Sequence, residues 1–119
     1  MELNGQSKLL TIYTGEMEKY NHRLLYEAIV YAAKKSGMAG ATVTKGIMSF
    51  GANSKIHTTK IFALSADLPM KIEIVDSEDM IGRFIKVVEK MFDKSNSAGL
   101  ITVTDTLVVQ YLQSKKKLL

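Results

Sequence analysis

One stretch changes its periodicity in a way that few folds can satisfy. In residues 70–75, MKIEIV, Met70, Ile72 and Ile74 alternate with Lys71 and Glu73. Period two puts the first three on one face of a strand and the two charges on the other. Just beyond, Ile81, Phe84, Ile85, Val88, Met91 and Phe92 recur at helical spacing. Ser77 is placed to cap that helix, and Glu78 and Asp79 put negative charge at the positive end of its dipole. A strand with one apolar face, followed by a helix with one apolar stripe, buries the stripe on the face.

The first part of the chain repeats this unit. Residues 8–14, KLLTIYT, read as a strand with Leu10 and Ile12 on one face. Leu24, Leu25, Ala28, Ile29 and Ala32 predict a helix over residues 23–35. Asn21 is its expected N-cap, and Lys34-Lys35 followed by Ser36-Gly37 is its stop. Ala41, Val43 and Ile47, with Thr42 and Thr44 between them, begin a second strand. Residues 93–99, DKSNSAG, read as a turn before a fourth strand at residues 100–104. Residues 61–66 read as loop or strand fragment, and residues 107–112 as a further strand or a helical turn.

The order is β-α-β-β-α-β, an α+β ferredoxin-like sandwich with two helices on one face of a four-stranded antiparallel sheet. The other face carries Thr42, Thr44, Lys71 and Glu73, too polar for a core but able to pack in an oligomer. The expectation is one domain over residues 1–119, with a long loop segment at 51–66 and a basic tail at 113–119. The tail's Lys115-Lys116-Lys117 reads as a solvated terminus.

Composition narrows the chemistry. A chain of 119 residues with 46% hydrophobic residues can bury a core, and 24% charged residues argues against wholesale disorder. The net charge of +4 suits an anionic ligand without demanding nucleic acid. The absence of cysteine excludes disulfides, thiol catalysis and cysteine-ligated zinc. The start shows no signal-peptide pattern and no run is long enough to span a bilayer, so a cytoplasmic location is expected. His22 and His57 lack metal-ligand spacing, and there is no Walker motif, GxGxxG, nucleophile elbow or paired acid and base. The chain does not read as an enzyme, and no metal or covalent cofactor is expected.

The segment from Ala39 to Lys60 is small, polar and basic after Phe50-Gly51. Gly46 and Gly51 can reach positive φ and let a backbone come close to a ligand. Lys45, Lys55 and Lys60 bracket the loop. Taken singly each serves solubility; together they supply a positive field. His57, with an ordinary pKa near 6.5, can gain charge beside a phosphate.

These residues also carry a resemblance. The series GATVTKGIMSFG from Gly40 to Gly51, then Ser54-Lys55-Ile56-His57, Leu64-Ser65-Ala66-Asp67-Leu68-Pro69 and Ile72-Glu73-Ile74-Val75-Asp76 resembles domain-of-unknown-function family 190. That family is similar to the PII nitrogen-regulatory signalling proteins. The resemblance covers residues 8–111 and implies a PII-like homotrimer binding adenine nucleotides in clefts between subunits. Its long loop between the second and third strands, the T-loop, responds to ligand and contacts a partner protein of the membrane transporter or channel class. Ser49-Phe50-Gly51 matches the Gly-Phe-Gly at the T-loop base, with serine for the first glycine. The turn at residues 94–99 matches a phosphate-cradling turn, keeping only Gly99 of two glycines. The T-loop also lacks the tyrosine that some PII proteins modify.

Carried onto this chain, the resemblance implies a nucleotide site of Thr42, Thr44, Gly46, Ser49, Phe50, Gly51 and Ala52. Lys55 and His57 are drawn in by loop closure, and Ser95, Ser97 and Gly99 lie opposite. With the cradling turn degenerate, AMP or ADP is expected to bind at least as well as ATP. Two alternatives share the fold. An RNA-binding module needs aromatics on the central strands, where residues 70–75 have none and the first strand has Tyr13. An acylphosphatase-like enzyme needs an arginine in a glycine-rich turn after strand one, which the surroundings of Arg23 do not supply.

Overall fold

The structure, a computed structural model, describes residues 3–49, 57–58 and 68–114. Its elements run β1 (Gly5–Gly15), β2 (Lys19–Tyr20), β3 (Arg23–Leu24), α1 (Leu25–Lys35), β4 (Thr42–Lys45), β5 (Met48–Ser49), β6 (His57–Thr58), β7 (Pro69–Asp76), α2 (Glu78–Ser95) and β8 (Gly99–Val108). The main sheet has the order β4-β7-β1-β8, and its neighbours are all antiparallel. This is the expected ferredoxin-like βαββαβ arrangement.

The register explains which face is buried. Leu10 sits opposite Ile74 and Ile12 opposite Ile72, and Val43 also faces Ile72. Leu10, Ile12, Ile72 and Ile74 are sealed from solvent together with Leu25, Ile29, Ile81, Phe84 and Val88 of the helices. Alternation sends the remaining positions to the open face. There Thr42 lies opposite Glu73, Thr44 opposite Lys71, and Thr11 opposite both Glu73 and Thr102. The open face therefore carries the polar residues expected from sequence, but Leu9, Tyr13, Val75 and Leu100 share it, so it is mixed and not uniformly polar.

The helices end as their sequences direct. The Ser77 hydroxyl accepts the Met80 N–H at 3.2 Å. α2 closes on Asn96 in the left-handed region, with the Ser97 N–H donating to the Phe92 carbonyl at 3.2 Å. α1 stops at Gly37, whose φ of +80° lets the Met38 N–H reach back to the Ala33 carbonyl at 3.1 Å.

The start of α1 differs from expectation. Asn21 is not its N-cap. Leu24 holds that position without a side-chain cap, and the Leu25 N–H is satisfied by the Glu18 carbonyl at 2.7 Å. Asn21 and His22 instead form the two-residue tip of a β2–β3 hairpin, both at positive φ (50° and 68°), as a primed hairpin turn requires. Arg23 lies 5.1 Å from the Tyr31 ring centroid and Lys94 5.7 Å from that of Tyr20. These cation–π contacts tie the hairpin to both helices.

β1 and β8 run longer than their sequence patterns suggest. Gly5–Ser7 pair with β8 beyond the last β1–β7 pair, Lys8 with Asp76. The outer end of β8 is fastened by a Lys8–Asp105 ion pair, whose hydrogen bond raises the Lys8 pKa above its ordinary value. Leu107 belongs to this extension of β8 and is 62% exposed. Residues 61–66 lie outside the described residues. Among the described residues, no helix is long and apolar enough to cross a membrane.

Candidate functional site

One end of the sheet gathers the loop between β4 and β7, the start of β7, the end of β1 and the turn before β8. Lys45 is opposite Met70, Gly15 opposite Pro69 and Thr14 opposite Gly99. The Gly46 N–H donates to the Pro69 carbonyl and the Glu16 N–H to the Leu68 carbonyl, both at 2.7 Å. Lys45 Nζ pairs with Glu16 Oε2 at 2.9 Å. Two assignments change here. Lys45 is not a free cation at the loop base, because Glu16 offsets its charge. Gly46 is not at positive φ; a Cβ there would sit 2.5 Å from Pro69 Cγ, so close approach to Pro69 is what requires glycine.

The turn before β8 is held by its own side chains. Ser95 Oγ donates to the Phe92 carbonyl at 3.2 Å and shares a 2.8 Å bond with Ser97 Oγ. Thr14 Oγ1 donates to the Ala98 carbonyl at 3.3 Å. A Cβ on Gly99 would lie 2.4 Å from the Phe92 ring and 2.6 Å from the Tyr13 carbonyl. A shallow depression of about 340 Å³ beside the turn is lined by Glu89, Phe92, Ser97, Gly99, Leu100 and Ile101. Glu89 gives it the wrong charge to hold a phosphate unaided.

The candidate residues fall into separate groups. Thr42 and Thr44 share the open face of the edge strand β4. Ser49 and His57 are Cα partners across the short β5–β6 ladder. His57 therefore belongs to a two-residue strand and not to an irregular loop. Ser95, Ser97 and Gly99 form the turn group. Phe50, Gly51, Ala52 and Lys55 lie outside the described residues, as does Lys60.

Within one chain the β4 threonines and the turn before β8 do not meet. β4 and β8 are opposite edges of the sheet, three strand spacings or roughly 14 Å apart. They also differ in face: Thr42 and Thr44 are on the open side, whereas Gly99 looks toward Phe92 of α2. Sequence reasoning missed Glu16 as the partner of Lys45 and the β2–β3 hairpin that brings Lys94 and Tyr20 together. Tyr20-Asn21-His22-Arg23 carried a weak signal, since asparagine tolerates the left-handed region. Among the described residues no cluster of acidic, histidine or cysteine side chains could hold a metal ion.

Comparison with known proteins identifies the fold and the family. Among solved structures, CPII of Thiomonas intermedia K12, a nitrogen regulatory PII-like protein bound to ADP, AMP and bicarbonate, matches with a TM-score of 0.66 at 19% identity. That match covers 88% of this chain and 90% of CPII. A protein of Thermus thermophilus described as PII-like and signalling matches with a TM-score of 0.64 at 22% identity, covering 92% and 94%. These likenesses are to the fold. In sequence, the chain is 36% identical over 104 residues to a UPF0166 protein of Aquifex aeolicus (strain VF5), covering 87% of this chain and 94% of the relative. It is 39% identical over 100 residues to a UPF0166 protein of Methanocaldococcus jannaschii, covering 84% and 89%. Residues 7–108 match the DUF190 family, described as "Uncharacterized ACR", and this chain belongs to that family.

Proposed function

We propose that this protein is a PII-like regulator that binds an adenine nucleotide between subunits and couples it to the loop joining β4 to β7. One observation carries the reading. The two halves of the candidate site lie on opposite edges and different faces of one sheet, so a second copy has to bring a β4 edge against the neighbour's turn. The fold shared with CPII, which was solved with ADP and AMP, supports the choice of ligand.

In this reading one subunit offers Thr42, Thr44, Gly46, Ser49, Phe50, Gly51 and Ala52, with Lys55 and His57 on the loop. Its neighbour offers Ser95, Ser97 and Gly99. The threonine hydroxyls bond ribose or base and main-chain N–H groups meet the phosphates. Ser95 and Ser97 already bond each other, and Lys45 is offset by Glu16. Few groups then remain for a long phosphate chain, which favours AMP or ADP over ATP. The assembly is a homotrimer, and the loop contacts a partner protein when ligand changes its shape.

Isothermal titration with AMP, ADP, ATP and cyclic AMP tests this. Saturable heat with AMP or ADP, at least as tight as with ATP, is the expected result. No heat with any of the four removes the function. Light scattering that finds a monomer at micromolar concentration removes the intersubunit site.

A further inference from the structure

The backbone of Ala39, just before β4, is held on both sides of its Cα by residues distant in sequence. Its N–H donates to Asp76 Oδ2 at 2.8 Å. Its carbonyl accepts the Tyr111 hydroxyl at 2.6 Å. Asp76 is only 2% exposed, and its other oxygen accepts the Ser77 N–H at 2.7 Å. This carboxylate thus joins the end of β7, the cap of α2 and the lead into β4.

The grip from Tyr111 comes from the far edge of the sheet. β8 ends at Val108, paired with Gly5 of β1, and residues 109–114 have no regular structure. With the strand order β4-β7-β1-β8, a chain that leaves β8 and reaches Ala39 crosses the ends of β1 and β7. Along this path Val109 is 87% and Leu112 76% exposed, while Tyr111 falls to 38%. The crossing therefore buries little apolar surface, and the Tyr111 phenol is one anchor, at Ala39.

β4 needs such an anchor. Among the described residues it is an edge strand, with four residues paired to β7 and no strand on its other side. At the loop end it is pinned by the Gly46–Pro69 hydrogen bond; at the opposite end its lead is pinned at Ala39. We infer that residues 109–114 form a strap that fixes β4 against β7 through Tyr111, so that the state of the C-terminal segment sets the position of the edge carrying Thr42 and Thr44. Displacing the strap frees the Ala39 carbonyl and loosens β4 from that end while leaving α2 and the core in place. The link to ligand binding rests on the proposed function; the link to β4 does not.

Amide hydrogen exchange on the full chain carrying Tyr111→Phe, which keeps the ring and removes the hydroxyl, tests the strap. The Ala39 amide and the β4 amides bonded to β7 are expected to exchange about three- to tenfold faster, the scale of one hydrogen bond. Amides around Ile74, Ile81 and Val88 are expected to keep the parent's rates. Tyr111→Leu, which removes the ring as well, is expected to give the same pattern or a stronger one. Unchanged exchange at Ala39 and β4 in both variants overturns the strap, as does a uniform rise across the core, which would mark general destabilisation. ADP titration separates the two readings. Weaker ADP binding by Tyr111→Phe than by the parent supports the link to the site, and equal binding despite faster β4 exchange removes it. A parent that binds no nucleotide defeats the proposed function, while the exchange data still decide the strap.

Discussion

Gly99 leaves no room for a methyl group, since a Cβ would press on the Phe92 ring and on a backbone oxygen of Tyr13. A carbonyl in the central strand cannot swing away as a side chain can. Gly99→Ala is therefore expected to cost about 1–3 kcal/mol, the usual penalty of overpacking, read as a lower urea midpoint. Gly40→Ala is the control. Nothing lies within 4 Å of its added methyl, and a change within about 0.5 kcal/mol is expected. Asp76 is the other decisive residue. Asp76→Ala strips two N–H groups of their acceptor, and a loss of about 2–4 kcal/mol is expected in the same measurement. Sequence made Gly46 and Gly99 visible but not their reason: a glycine pressed by packing and one that admits a phosphate read alike. Asp76 was visible only within a family motif, because burial and its bonds to Ala39 and Ser77 arise from tertiary contact.

Among the elements, β7 and α2 were the most legible. Strict alternation from Met70 to Ile74 and the stripe from Ile81 to Met91 each admit one solution, and the structure buries those residues, Ile85 in part. The α2 cap was equally plain, and Ser77→Ala is expected to cost about 1 kcal/mol by removing the acceptor of the Met80 N–H. Where local signals conflicted, sequence reading failed. Asn21 looked like a cap but became a hairpin tip, since the preceding Lys19 and Tyr20 could pair with Leu24 and Arg23. β8 passes beyond Thr104 because Asp105 meets Lys8 across the strands, a pairing no single strand reveals. That ion pair also gives a sign for pH. The Lys8 pKa is raised in the fold, chiefly by its hydrogen bond to Asp105. Its contribution is present below the ordinary lysine value and fades as pH rises through the raised one. In a urea series the difference between the parent and Lys8→Met is expected to shrink as pH rises through that alkaline range.

Across the whole molecule, the sheet has helices on one face, while the other presents Thr42, Thr44, Lys71, Glu73 and Thr104. Its two edges are unequal: β4 pairs over four residues, β8 over ten. The family series named the candidate residues and set them in a cleft between subunits; the division of Thr42 and Thr44 from the turn before β8 onto opposite edges of one sheet is seen only in the strand order, a property of the fold. That division makes the central claim, a nucleotide site built from two subunits, directly measurable. Thr44→Arg blocks the β4 side and Ser97→Arg the turn side, so each variant alone is expected to lose ADP binding while remaining a trimer. When the two are dissociated and reassembled from an equal mixture, an unaltered β4 meets an unaltered turn at about one quarter of the interfaces of a cyclic trimer. Titration of the mixed assembly with ADP is predicted to recover roughly that fraction of sites at the parent's affinity. A mixture that binds no more ADP than either variant alone would contradict the account.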